Sequence, residues 1–543
     1  MLPLWFCQIK GIYMRVNKIY IISICGVLLS GCSSSVSSPQ AEERWHYVTM
    51  SAYAPSPVQQ GQLQQNTARY THHEANPIKQ TAQEPLATFS FDVDTGSYAN
   101  VRRFLKTGSL PGADVVRVEE LVNYFPLTEA TKKNIPGCKG CEENSPFSIN
   151  YELTPAPWNE KHTLLRLDIA ANDIARSKLP PTNLVFLIDT SGSMNSDERL
   201  PLIKSSLKLL VNELRDQDRI SIVTYAGSAR LLLSSTSGAE KNTILNAIAN
   251  LQAGGGTNGG AGVAMAYEQA QAGYIKGGVN RILLATDGDF NIGDDPSSVE
   301  DLVKKQRESG ITLSTLGVGD NNYNEAMMVK IADTGNGNYS YLDSLSEAQK
   351  VLSNEMNQTL VTVAKDVKAQ IEFNPQQVIE YRQIGYEKRQ LRADEFNNDA
   401  VDAGDIGAGK HVTVLFELTL AGQQASVDKL RYGKSPASTQ TSNSNELMWV
   451  KLRYKAPQGE SSRLVEMPII SSAVTRNFSR ASPDMHFLSA VAAYGQKLRG
   501  SEYLNKTSWQ QIQSWAQEGK GADQYGYRAE FIQLVGLAES LSR

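Results

Sequence analysis

The chain has 543 residues, 53 Lys and Arg against 57 Asp and Glu, a formal net charge of −4 and five cysteines. Its length leaves room for about three or four domains. An apolar fraction of 41% with 20% charged residues excludes wholesale disorder, collagen and polytopic membrane classes, and balanced charge argues against nucleic acid, which needs a basic face.

Met14 to Lys18 is a short basic start, Ile19 to Ser30 an apolar run, and Leu29-Ser30-Gly31-Cys32 closes it. The run falls short of the roughly twenty apolar residues a span needs, so it reads as a signal segment. Residues 1–13 lack the shape of a basic start, and Met14 is the expected true start. The ending resembles a bacterial lipobox, which implies that residues 1–31 are removed and Cys32 carries lipid, anchoring the chain without a spanning helix. Cys7 and Cys25 leave with that segment, as do Lys10, Arg15 and Lys18 with no acid, so the mature charge is −7. By the same resemblance, Ser33 and Ser34, with no Asp there, imply the periplasmic face of the outer membrane. From Ser33 to Leu86 no apolar period survives, and 32–87 is expected to be a lipid-anchored flexible tether. His72-His73 within it has no third ligand nearby and reads as a solvated pair.

Residues 88–145 form an N-terminal segment. Its Asp92-Val93-Asp94-Thr95 imitates the nucleophile motif of haloacid-dehalogenase-like phosphatases, but Ala87 to Phe91 is too mixed for a buried parallel strand and no partner motif follows. It also fails as an EF-hand loop, with Arg103 in the place of the bidentate Glu. A turn or a domain contact is expected instead. Cys138-Lys139-Gly140-Cys141 fits a redox pair, half a zinc site or a structural disulfide; in an oxidising compartment the local disulfide is favoured. Residues 146–182 alternate like half-exposed strands.

Within 183–361 the pattern changes. Asn183 to Ile188 is an unbroken apolar run, the mark of a strand buried on both faces. A helix follows, with Leu200, Ile203, Leu207, Leu210 and Leu214 at helical spacing. Further strands are predicted over 219–225, 230–234, 281–286, 311–318 and 339–342, and helices over 239–251, 260–272, 297–308, 325–334 and 346–360. This alternation predicts an α/β fold with a doubly wound, mostly parallel sheet. Beyond the carboxyl ends of its strands, where such folds bind ligands, stand Asp189, Ser191 and Ser193, then Thr257 in Gly254 to Gly260, then Asp287. Two carboxylates and three hydroxyls are hard donors, suited to Mg²⁺, Mn²⁺ or Ca²⁺ and poor for zinc.

This arrangement resembles a von Willebrand factor A domain with its metal-ion-dependent adhesion site, every position of which is matched. The resemblance implies that Ser191, Ser193 and Thr257 ligate the metal most directly and that Asp189 and Asp287 act directly or through water. It also implies an open position for a partner protein's carboxylate, with Mg²⁺ the favoured cation. Phe89 to Phe104, Arg117 to Phe125, Ile384 to Glu387, Asp402 to Gly407 and Tyr525 to Glu530 look like a bacterial lipoprotein family carrying this domain, across about residues 88–543.

Residues 362–475 are a second β-rich flank, with strands expected at 367–373, 412–420 and 447–454, and one β-sandwich built from both flanks is expected. Residues 476–543 read as about three helices, one lined by Phe487, Leu488, Val491, Ala492 and Leu498, another by Phe531, Leu534, Val535 and Leu537. Ser205-Ser206-Leu207-Lys208 and Lys106-Thr107-Gly108 match motifs of penicillin-binding enzymes in reversed order and read as chance. No catalytic constellation stands beside the carboxylates, so a binding protein rather than an enzyme is expected, with a protein partner supplying Asp or Glu, a membrane anchor, no nucleic acid and no small-molecule substrate. The alternatives are a metal-assisted hydrolase at the same cation, or a structural cation with the flanks doing the binding.

Overall fold

The computed structural model describes residues 68–128, 131, 138–139, 145–288, 296–320, 323–355, 358, 360–401, 403–428, 445–459 and 461–543. All belong to the larger of two compact units, Gln64–Arg543. The signal segment, Cys32, the tether up to residue 67 and Cys141 lie outside the described residues.

In chain order the N-terminal flank contains β1 (Lys79–Gln80), β2 (Leu86–Ser90), α1 (Gly96–Lys106), α2 (Val118–Val122), β3 (Phe147–Ala156) and β4 (Asn159–Ala171). The α/β region has β5 (Thr182–Asp189), α3 (Leu200–Glu213), β6 (Arg219–Tyr225), β7 (Ala229–Ser237), α4 (Lys241–Ala249) and α5 (Gly259–Ala272). It continues through β8 (Val279–Thr286), α6 (Pro296–Arg307), β9 (Ile311–Gly317), α7 (Glu325–Thr334), β10 (Tyr339–Tyr341) and α8 (Leu345–Gln349). The chain then forms β11 (Thr362–Phe373), β12 (Val378–Ile384), β13 (Ile406–Gly407), β14 (His411–Leu420), β15 (Glu446–Lys455) and β16 (Ser462–Ile470). It ends in α9 (Pro483–Leu498), α10 (Trp509–Glu518) and α11 (Tyr527–Leu541).

The central sheet runs β10-β9-β8-β5-β6-β7, parallel except for the antiparallel edge strand β7. Alternate residues of β5 feed two cores. Leu184, Phe186 and Ile188 pack against α3 and α4, while Val185 and Leu187 pack against α5, α6 and α7. That two-sided burial is why β5 carries no polar alternation. The helix expected at 346–360 is α8, which passes at Lys350 into a π-helical turn through Asn354.

The two flanks interlock. β2, β1 and β4 from before the α/β region pair with β11, β12 and β14 from after it, all antiparallel. Two sheets, β1-β12-β14-β4-β3 and β13-β11-β15-β16 with β2 on β11, enclose one core that includes Phe89, Phe147, Leu167, Ile371, Phe416 and Val450. The α/β region is thus inserted between β4 and β11 of a single sandwich. Helices α1, α2 and α9 to α11 form a third layer on the outer face of the first sheet, against Leu164, Ile384 and Leu415.

Two expectations need correcting. The tether does not run to residue 87, because the fold takes up the chain from residue 68. Arg69 N donates to Tyr323 O at 3.0 Å, the Asn76 amide donates to the carbonyls of Gln383 and Gly385, and β1 and β2 are paired strands. Those partners are hundreds of residues away, so a local pattern carries no trace of them. In α11 the buried stripe is Phe531, Leu534, Val535 and Ala538, while Leu537 is 40% exposed, one position off the helical repeat.

The other motifs are structural in character. His72 Nδ1 lies 2.6 Å from Asp114 Oδ1 on the surface. Asp94 accepts a hydrogen bond from Tyr339 N of β10 at 3.0 Å and, with Asp92, faces Arg389, a contact between flank and α/β region. Cys138 is disulfide-bonded. Ser205 Oγ donates to Pro201 O within α3.

Candidate metal centre

β5 and β8 are parallel neighbours in register, with Ile188 opposite Ala285. Asp189 therefore closes one strand while Asp287 follows the end of the next, side by side at the carboxyl edge, and both are fully buried. Asp189 is fixed through both oxygens. Ser191 N donates to Oδ1 at 2.8 Å, and Thr286 Oγ1 and the Tyr225 hydroxyl donate to Oδ2 at 2.8 and 3.2 Å. Burial raises its pKa, the hydrogen bonds from Ser191 and Thr286 oppose the rise, and the Asp287 charge adds to it. Ser191 Oγ and Ser193 Oγ stand 3.0 Å apart.

The glycine-rich loop is laced to the same edge. Gly254 N donates to Thr190 O at 2.8 Å, Gly192 N to Gly255 O at 3.0 Å, and Asn258 N to Ala226 O at 2.6 Å. Gly255 sits at φ +89°, a left-handed conformation that favours glycine. Thr257 lies between these anchors, half-buried, and Asn258 caps α5 by accepting from Ala261 N. The three segments predicted to converge are thus all brought to one end of the sheet.

Two buried carboxylates that raise each other's energy, beside paired hydroxyls, form a donor set suited to a hard dication. No three His, Cys, Asp or Glu side chains among the described residues are arranged to hold a metal.

Sequence reasoning missed Tyr225, Thr286 and Arg199. The Arg199 guanidinium donates to Asp287 Oδ2 at 2.9 Å and Ser193 O at 2.7 Å, and approaches Asp320 Oδ1 at 3.5 Å. A signal for it existed. Arg199 is the N-cap of α3, where the helix dipole disfavours a cation unless acids pair with it.

Three family models match the chain: the C-terminal region of the uncharacterized protein YfbK over residues 358–541, the von Willebrand factor type A domain over 183–355, and a von Willebrand factor model over 64–166. The Uncharacterized protein YfbK of Escherichia coli (strain K12) is 65% identical over 479 residues, covering 88% of this chain and 82% of the relative. The chain belongs to the YfbK family. Within this YfbK-family chain, residues 183–355 are a von Willebrand factor type A domain, a protein-interaction module. A Synechocystis sp. protein, sll0103, is 30% identical over 193 residues, covering 36% of this chain and 44% of its own length. The solved von Willebrand factor type A structure from Catenulispora acidiphila has 14% identity and a TM-score of 0.39, covering 73% of this chain and 89% of its own.

Proposed function

We propose that this YfbK-family chain is a lipid-anchored cell-envelope protein whose A domain binds a partner protein through a divalent cation. Asp189, Ser191, Ser193, Thr257 and Asp287 hold the cation, Mg²⁺ foremost with Ca²⁺ or Mn²⁺ as alternatives, and a partner's Asp or Glu completes it. The observation that carries this reading is the meeting of two buried carboxylates and the Ser191–Ser193 hydroxyl pair at one end of the sheet. Neutral hydroxyls leave a dication under-compensated, so it keeps strong affinity for an incoming anion. The Cys32 lipobox supports attachment by lipid, and Ser33 and Ser34, with no Asp there, support the periplasmic face of the outer membrane.

Pull-down from solubilised envelopes with wild type, Thr257→Ala and Asp189→Ala, each with Mg²⁺ or with EDTA, tests the binding. A partner retained only by wild type in Mg²⁺ supports the reading, and retention that ignores chelator and both substitutions overturns it. Cys32→Ser should move the protein from the membrane fraction to the soluble one; unchanged membrane retention overturns the anchor.

A further inference from the structure

One charge at the cation face has no counterpart in the five-residue donor set. The Arg199 side chain is only 13% exposed and is held by three loops at once, those following β5, β8 and β9. The backbone makes room for it. Gly319 sits at φ +85°, and a Cβ there would fall 2.7 Å from Arg199 Nε and 3.3 Å from Asp287 Cβ. A guanidinium at the positive end of a helix, nearly buried and bonded to a candidate metal-site carboxylate, is expensive to build for stability alone.

We propose that Arg199 is the residue that sets the site's selectivity for an anionic partner. Its fixed charge partly neutralises Asp287, so the site grips the dication less tightly and the loaded site demands an external carboxylate more strongly. This rests on the cation-docking reading above and deepens it, naming the partner group as a carboxylate selected by charge as well as by coordination. Asp320, on the rim at 35% exposure, opposes Arg199 and tempers the effect. Removing the guanidinium makes the site one unit more negative. A change of one unit charge on the carboxylate that Arg199 holds, felt at the high effective dielectric of a half-open face, changes each constant about three- to tenfold. The two constants move in opposite directions, which a merely structural role for Arg199 does not produce.

The test uses the full chain with Mn²⁺ as the probe cation and acetyl-aspartyl amide as the probe carboxylate. Paramagnetic resonance of free Mn²⁺ gives cation affinity, and loss of water-proton relaxation enhancement at saturating Mn²⁺ gives carboxylate affinity. Arg199→Gln should bind Mn²⁺ about three- to tenfold tighter and the carboxylate about three- to tenfold weaker, with Arg199→Lys close to wild type in both. Asp320→Asn should shift both constants the other way, and carries the test if Arg199→Gln fails to fold. Unchanged constants, or Mn²⁺ binding weakened in Arg199→Gln, overturn the proposal while leaving the cation site standing. Absence of Mn²⁺ binding by the wild type overturns the cation reading itself, and this proposal with it.

Discussion

Replacing Arg102 by Met tests how the A domain is held in the body. Arg102 lies on α1 of the flank, with its side chain 3% exposed, and its Nη2 is 2.5 Å from Asp343 and 2.6 Å from Glu347, both in the A domain. Its Nη1 reaches Glu530 of α11 at 2.8 Å and donates to the Tyr124 hydroxyl at 3.2 Å. One guanidinium thus compensates three carboxylates from two other parts of the molecule. Met fills similar volume but leaves buried charge uncompensated, which costs about 3–5 kcal/mol. At about 2–4 °C per kcal/mol for a domain of this size, Tm should fall by about 10 °C. None of the six tryptophans lies between residues 183 and 355, so tryptophan fluorescence follows the body while far-UV circular dichroism follows both parts. Burial, the largest influence on Glu347, raises its pKa, and the Arg102 charge opposes the rise. Without Arg102 the folded-state value climbs further above the unfolded one, so stability is retained at low pH and lost as pH rises. The deficit of Arg102→Met should therefore be larger at pH 8 than at pH 5, and adding Glu347→Gln should recover part of it. A loss under about 1 kcal/mol, or a strictly additive double variant, refutes the clamp.

Glu119 is buried, with its pKa pushed up to about 7 by burial first and by the Glu387 and Glu120 charges after it, and no described residue hydrogen-bonds its Oε2. A raised carboxyl gives stability that is complete below its unfolded value near 4.5 and is lost as pH rises through about 7. Glu119→Gln should therefore be about 2–3 kcal/mol more stable than wild type at pH 8 and nearly equal at pH 4 in denaturant melts; equal stability at both contradicts this. Mg²⁺ at about 100 times its Kd should raise wild-type stability by about 2.7 kcal/mol over EDTA, and thermal melts of Thr257→Ala should not respond to Mg²⁺.

What was legible in the sequence was what neighbours along the chain determine. β5 shows as an apolar run because both of its faces are covered, and the Asp189 to Ser193 loop shows because its spacing is local. β12 did not show. Its Glu380, Arg382 and Gln383 are buried yet polar, since Arg382 pairs with Glu417 at 2.6 Å and Glu380 accepts from the backbone of Ser426 and Val427. Such partners are set by tertiary pairing, which erases the apolar alternation a strand usually displays. The strap around residues 68–80 escaped for the same reason, and Arg199 because its acids, Asp287 and Asp320, come from distant loops.

The way the body holds the A domain determines which of its surfaces remain for a partner. Three arginines of the flanks each take acids of the domain: the buried Arg102 takes Asp343 and Glu347, the buried Arg117 takes Glu325 at the start of α7, and the partly buried Arg389 takes Asp333 near its end. All these acids lie on α7 or beside β10, so the clamp covers one edge of the sheet. There Asp94 accepts the Tyr339 N–H of β10, and the Tyr339 ring packs so closely on Gly96 that a Cβ would sit 2.2 Å from it. An edge satisfied in this way cannot recruit another strand. The opposite edge, β7, is shielded by irregularity instead. Its register against β6 slips between Ile220 and Ile222 and again between Ile222 and Val223, and such bulges twist an edge away from flat pairing. With one edge clamped and the other bulged, neither edge of the sheet is open to a further strand, and Asp189, Ser191, Ser193, Thr257 and Asp287 stand at the carboxyl ends of the strands rather than at either edge.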